Sequence, residues 1–219
     1  MNNEKNRQLT PDEAKRNEAY EKDKARLEQE GYKVYDLTTT VVKSNVMAVL
    51  LVIPFAVIFT LLYFIVHKPP FWEFISDLID FGSLWGVLLY FVAIFVLMIV
   101  HELIHGVTRA LFAKSGWKAV SFGFVAKYLT PYCTCSEPLT KVGYITGALM
   151  PAIILGIIPI IVSIAIGNAT LFGISFLMIL AGGGDIHTSL KLMTFKTNGK
   201  KSIYIDHPYL VGLTAFVKE

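Results

Sequence analysis

Four stretches of the chain are apolar and long enough to cross a lipid bilayer. They cover residues 45–66, 84–106, 143–166 and 170–187. A helix needs about 20 predominantly apolar residues to span the hydrocarbon core of a membrane. The sequence therefore predicts an all-α integral membrane protein with four transmembrane helices.

The composition agrees with a membrane protein. Hydrophobic residues make up 54% of the chain and charged residues only 17%, whereas about a quarter of the residues in soluble domains are charged. The formal net charge of +3 is too small to indicate a nucleic-acid partner. The lipid bilayer is the expected partner, and the sequence leaves the oligomeric state open.

Hydrophilic segments flank the apolar region on both sides. The sequence divides into a tail at 1–43, a membrane domain at 44–190 and a C-terminal segment at 191–219. A capping box that begins at Thr10 predicts a helix over about residues 11–30 of the tail. Its apolar stripe is weak, so we expect this helix to be solvated.

The basic residues are distributed unevenly between the connections. The tail, the connection at 109–141 and the C-terminal segment hold nineteen of the 20 Lys and Arg residues, whereas the loop at 67–80 holds only Lys68. Cytoplasmic loops of membrane proteins carry the excess of Lys and Arg. We therefore expect a multi-pass protein of the cell membrane with both termini in the cytoplasm.

Three smaller features are predicted around the spans. Residues 32–42 favour a short strand, and residues 117–125 and 128–135 favour a small cytoplasmic β-hairpin. Pro151 and Pro159 lie inside the third span, so we expect a broken, closely packed helix there.

The second span ends in the motif His101-Glu102-Leu103-Ile104-His105. Residues four apart on a helix share one face, so the two imidazoles can bind one metal ion. Glu102 lies beside them, where it can accept a proton from water at the metal. The pattern predicts a zinc site with Glu102 as the catalytic base. A structural cluster of His and Glu is the alternative.

A catalytic zinc ion usually has three protein ligands. Asp185 follows three glycines near the inner end of the fourth span, at a depth close to that of the two histidines. It is the first candidate for the third ligand, and His187 is its main rival. Glu137 and His207 are weaker candidates on cytoplasmic segments.

The only cysteines are Cys133 and Cys135. A disulfide between residues two apart would be strained, so we expect reduced thiols. Small buried side chains are the first interpretation, and a metal or redox role is the alternative.

Taken together, these motifs resemble known families. The metal motif and a later aspartate on a second helix resemble the site-2-protease type of intramembrane zinc metallopeptidase. The segments at 131–139, 147–151 and 206–208 resemble a group of bacterial membrane proteins described as putative zincin peptidases, and this resemblance extends from about residue 35 to the end.

The resemblance implies a zinc metalloendopeptidase that cleaves membrane-protein or peptide substrates. It implies His101, His105 and Asp185 as zinc ligands and Glu102 as the general base. Two other classes stay open at this point. One is a membrane protein that binds or transports metal without hydrolysis, and the other is an adaptor derived from a peptidase.

Overall fold

The protein is mostly helical, with two small sheets. The computed structural model describes residues 8–79, 83–125 and 130–219. The helices are α1 (Pro11–Gln29), α2 (Val41–His67), α3 (Phe71–Asp77), α4 (Leu84–Phe112), α5 (Lys141–Pro151), α6 (Ile158–Ile166), α7 (Ala169–Ala181) and α8 (Gly183–Thr194). The strands are β1 (Tyr32–Asp36), β2 (Val120–Val125), β3 (Thr130–Cys135), β4 (Ser202–Asp206) and β5 (Leu213–Lys218).

Within the described residues, three helical segments are long and apolar enough to cross a membrane. They are α2, α4 and the continuous segment Lys141–Ile166. Helices α7 and α8 form a fourth if they count as one span, although they are bent by 47° relative to each other. The side chains of the long helices that face outward are apolar, as Leu84, Leu88 and Leu111 illustrate, which suits contact with lipid.

The third span is widened rather than broken at its prolines. A π-helical turn at Ala152–Ile157 joins α5 to α6, and Pro159 occupies the first turn of α6. Proline has no N–H and its ring clashes with the carbonyl four residues earlier. A π-helical turn accommodates such an interruption without ending the helix.

The bend between α7 and α8 depends on glycines that admit close helix packing. A Cβ atom on Gly182 would lie 2.9 Å from the Cβ of Ala152, and one on Gly183 would lie 2.6 Å from the Cβ of Ala48. Larger residues would therefore push α8 away from α2. The close approach places Asp185 in the first turn of α8.

The prediction of an all-α protein with one small hairpin did not include a second sheet. The hairpin of β2 and β3 forms as an antiparallel pair, although Tyr128, the predicted start of its second arm, lies outside the described residues. A second sheet has the strand order β1, β5, β4. The sequence analysis missed its two C-terminal strands because β5 is buried over Leu213–Val217 and lacks the alternation of a half-exposed strand.

Helix α1 begins at the predicted capping box, in which Thr10 and Glu13 bond each other's backbone. The expectation that this helix is solvated was wrong for one face. Tyr20 and Leu27 are buried against the three-stranded sheet, and the hydroxyls of Tyr20 and Thr214 lie 2.8 Å apart. Two well-placed apolar residues are enough to dock the helix, even though the average stripe is weak.

The connections gather at two opposite ends of the helices. At one end, β1 pairs with β5 and Leu139 bridges to Tyr204 of β4. At the other end, the Thr170 hydroxyl donates to the Asp77 carbonyl at 2.6 Å. Strands β1, β4 and β5 and the connection that carries the hairpin therefore lie at the same end.

Candidate metal centre

Two buried histidines on α4 face the interior of the helical bundle. The side chains of His101 and His105 are 6% and 4% exposed, and their ring centroids lie 4.9 Å apart. Glu102 lies beside them. One possible ligand atom of each of the three residues lies within 4.8 Å of the others, so the helix gathers three metal-binding groups at one point.

Helix α8 brings a carboxylate to the same two imidazoles. Asp185 Oδ2 lies 3.6 Å from His101 Nε2 and 3.3 Å from His105 Nε2. Hydrogen bonds between such charged groups are shorter, at about 2.7–2.9 Å. Neighbouring ligand atoms around a tetrahedral zinc ion lie about 3.4 Å apart, given metal–ligand distances of about 2.0–2.2 Å. The spacing of these three atoms therefore fits a shared metal ion.

The hydrogen bonds of the rings also suit ligand roles. His105 Nδ1 donates to the carbonyl oxygen of Gly147 at 2.7 Å, which leaves the lone pair of Nε2 directed at Asp185. The buried Nδ1 of His101 has no hydrogen-bond partner in the described part of the chain. Two imidazole nitrogens and one carboxylate oxygen form a donor set that zinc commonly accepts, with a position left for water or substrate.

Comparison with known families agrees with this geometry. Residues 94–199 match the sequence model of a family described as "putative zincin peptidase". This part of the chain is similar to that family. It contains His101, His105 and Asp185, whereas α1 and strands β1, β4 and β5 lie outside it. No curated protein and no solved structure matches the chain.

The other candidate ligands in the sequence lie elsewhere. His187 follows Asp185 by two positions, which rotates it by about 200° around α8. The Glu137 carboxylate accepts the backbone N–H of Ser115 at 3.1 Å, and hydrogen bonds from the side chain and then the backbone of Ser115 lower the pKa of Glu137. The ring of His207 lies against Tyr20, with centroids 5.6 Å apart. Of the rivals considered, only Asp185 meets both zincin-motif histidines.

Both cysteines are buried on β3 with free thiols. Burial raises the pKa of Cys133 to about 12 and that of Cys135 to about 11. Thiols in this state are protonated near neutral pH and react slowly. The first interpretation of the sequence, small buried side chains, therefore fits their surroundings, although they belong to a strand.

The β2–β3 hairpin packs directly on α4, next to the metal motif. A Cβ atom on Gly106 would lie 2.5 Å from the ring of Phe122 in β2 and 3.3 Å from the ring of Trp117. Glycine directly after His105 therefore lets both aromatic rings reach the backbone of α4. This contact places β2 of the hairpin beside the turn of α4 that follows His105.

Sequence analysis missed a second polar cluster next to the site. Arg109 lies four residues after His105 and is buried, where it pairs with Asp206 of β4 at 2.8 Å. A signal for Arg109 was present, because a charge four residues after a candidate ligand in an apolar helix lies on the same face as that residue. Asp206 belongs to the segment 206–208 that carries part of the resemblance, but the sequence did not indicate its partner, which is 97 residues away.

Proposed function

We propose that the protein is an intramembrane zinc metallopeptidase that hydrolyses peptide bonds of membrane-associated substrates near the cytoplasmic side. One observation carries the proposal. Asp185 Oδ2 lies 3.6 Å and 3.3 Å from the two Nε2 atoms of His101 and His105, which is the spacing of ligands around one zinc ion. The match of residues 94–199 to the sequence model of the putative zincin peptidase family supports the same chemistry.

The roles of the residues follow from their chemistry. His101, His105 and Asp185 would hold the ion. Zinc supplies Lewis-acid chemistry, because it polarises a carbonyl group and makes water more acidic. Glu102 accepts a proton from the attacking water and delivers it to the leaving amine nitrogen, so that one carboxylate acts first as base and then as acid. The partly exposed side chain of Asp185 is consistent with a path for water.

We further propose four spans with both termini, α1 and the hairpin in the cytoplasm. Two observations support this orientation. Pairing of β1 with β5 joins the segment before the first span to the segment after the last one, which requires an even number of crossings. Nineteen of the 20 Lys and Arg residues belong to segments at that end, and cytoplasmic segments carry the excess of basic residues. The bent pair of α7 and α8 then makes the fourth span.

The hairpin offers a place for an extended substrate. Among the described residues, β2 pairs only with β3, so one edge of β2 is free to bond a further strand. Phe122 and Phe124 of β2 are 43% and 58% exposed. Strand addition fixes a peptide through its backbone and reads alternate side chains in pockets. A substrate helix that unwinds onto β2 would present its peptide bonds near the metal centre.

The first test is the zinc content of the purified protein. We expect about one zinc ion per chain in wild type and none in His101→Ala, because the two remaining protein ligands would bind zinc weakly. His67→Ala is the matched control, since His67 ends another span and its Nε2 donates to the Ile164 carbonyl far from the site. Wild-type protein that binds no zinc under metal-replete conditions would refute the proposal.

The second test separates a peptidase from a metal-binding protein or an adaptor. Membranes that contain wild type are compared with membranes that contain Glu102→Gln, and new peptide termini are identified by mass spectrometry. We expect Glu102→Gln to keep its zinc and to lose cleavage by more than about 100-fold, since general base catalysis contributes about 10²–10⁴-fold. Equal cleavage in both membranes would favour the binding protein instead.

A further inference from the structure

One buried carboxylate outside the family region joins three elements inside it. Asp206 ends β4, and its side chain is 11% exposed. Its Oδ2 atom accepts hydrogen bonds from Arg109 Nη1 at 2.8 Å and from the backbone N–H of Cys135 at 2.9 Å. Its Oδ1 atom accepts the hydroxyl of Tyr144 at 2.5 Å. The three donors belong to α4, β3 and α5.

Arg109 is the charged partner in this cluster. Its side chain is 7% exposed, and its Nη1 atom also donates to the carbonyl oxygen of Cys133 at 2.7 Å. Taking two charges out of water is costly, and apolar side chains often fill such a volume with equal stability. A buried pair that also bonds the backbone of β3 restricts that strand to one position on α4.

The stem of Arg109 lies against the peptide that orients a proposed metal ligand. A Cβ atom on Gly147 would lie 2.9 Å from Arg109 Cγ, so the two residues are in direct contact. The carbonyl oxygen of Gly147 accepts the Nδ1–H of His105 at 2.7 Å. Contacts therefore run without a gap from Asp206 through Arg109 and Gly147 to His105.

A second route connects the same carboxylate to the hairpin. Asp206 and Arg109 bond the backbone of β3 at Cys135 and Cys133. Strand β3 pairs with β2, whose Phe122 packs on Gly106 directly after His105. The hairpin is thus attached to α4 at two points, Gly106 and Arg109, which both follow the metal motif.

We propose that Asp206 is a positioning residue of the metal centre, which holds Arg109 so that Arg109 fixes both the orientation of His105 and the place of the hairpin on α4. The inference rests on the proposed function in one respect, since it takes His105 as a zinc ligand. Strand β4 carries Asp206 and would therefore contribute to the metal centre, although it lies outside residues 94–199.

Asp206→Asn tests this role because it keeps the size of the side chain and removes its charge. We expect zinc affinity, measured by chelator competition, to fall about 10-fold, as for partners that orient metal ligands. The visible absorption bands of the cobalt-substituted protein should shift, and amide exchange in β3 should become faster. Asp23→Asn is the matched control, because it removes an Asp–Arg pair of 2.6 Å on the exposed face of α1.

If Asp206→Asn does not fold, Tyr144→Phe takes its place, since it removes one of the three donors and leaves the Arg109 pair. We expect the same changes in zinc affinity, cobalt absorption and amide exchange in β3, but smaller ones. A folded variant with wild-type zinc affinity, cobalt spectrum and exchange would overturn the inference while the proposed function stands. Wild-type protein without zinc would overturn both, so the two failures are distinguishable.

Discussion

Two carboxylates near the C-terminal part of α4 have opposite surroundings. The oxygens of Asp206 accept three hydrogen bonds at 2.5–2.9 Å. The Oδ2 atom of Asp185 faces two imidazole nitrogens at 3.3 Å and 3.6 Å, which is longer than hydrogen bonds between such groups. A carboxylate with a full set of donors holds structure together. A carboxylate held at ligand spacing from two imidazoles suits a cation.

One helix supplies the partners of both carboxylates. His101, His105 and Arg109 follow one another at intervals of four residues on α4, so they form one stripe. The opposite face of this part of α4 points outward, as the 44% exposure of Leu103 and the 52% exposure of Val107 show. The metal centre and the Asp206 cluster are therefore successive turns of the same polar stripe, and variants can test them separately.

The largest expected effect comes from Arg109→Met. The variant leaves Asp206 buried without its charge partner, and breaking a buried pair in this way costs about 3–5 kcal/mol. The free energy of unfolding can be measured by SDS titration in mixed micelles. Lys22→Met, which removes the exposed pair with Glu18, should leave it unchanged. An equally small effect of both variants would show that the buried pair carries little stability.

Asp185→Asn should act on metal binding instead of on the fold. We expect zinc affinity to fall by more than about 100-fold, beyond the range of partners outside the ligand shell. The metal-free variant should unfold like metal-free wild type, because Asp185 makes no hydrogen bond of normal length to either histidine. Unchanged zinc affinity would show that Asp185 is not the third ligand, and His187→Ala would then be the variant to measure.

Gly183→Ala tests how Asp185 reaches its position. The new methyl group would lie 2.6 Å from the Cβ of Ala48, and overpacking of this kind costs about 1–3 kcal/mol. Because α8 must shift, zinc affinity should fall as well. The double variant with Ala48→Gly removes the nearest atom and should recover part of both losses. A single variant as stable as wild type, with full zinc affinity, would contradict this account.

The smallest expected effect concerns pH and the strand bonded to Asp206. Burial raises the pKa of Cys133 to about 12 from 9.0, so the folded protein keeps a proton that the unfolded chain loses above pH 9. Stability should then decrease as pH rises, by about 1 kcal/mol at pH 10 for this thiol. Cys133→Ala should have a flatter alkaline slope in the same titration. An identical slope would show that other groups cause the loss.

The sequence by itself determined the helices and the motif. Predominantly apolar stretches of about 20 residues predict spans because backbone polar groups must bond internally in lipid. The spacing of His101 and His105 places two imidazoles on one face by helical geometry alone. The capping box at Thr10 likewise predicted where α1 begins. Each of these features depends on residues close together in the chain.

Only the tertiary structure decided which distant residues meet. The sequence left Asp185, His187, Glu137 and His207 as possible third ligands, and the packing of Gly183 on Ala48 brings Asp185 to the histidines. The pairing of β4 and β5 with β1 and the contact of Asp206 with Arg109 also join residues far apart in the chain. Local periodicity carries no information about such contacts, because they depend on how close two helices can approach.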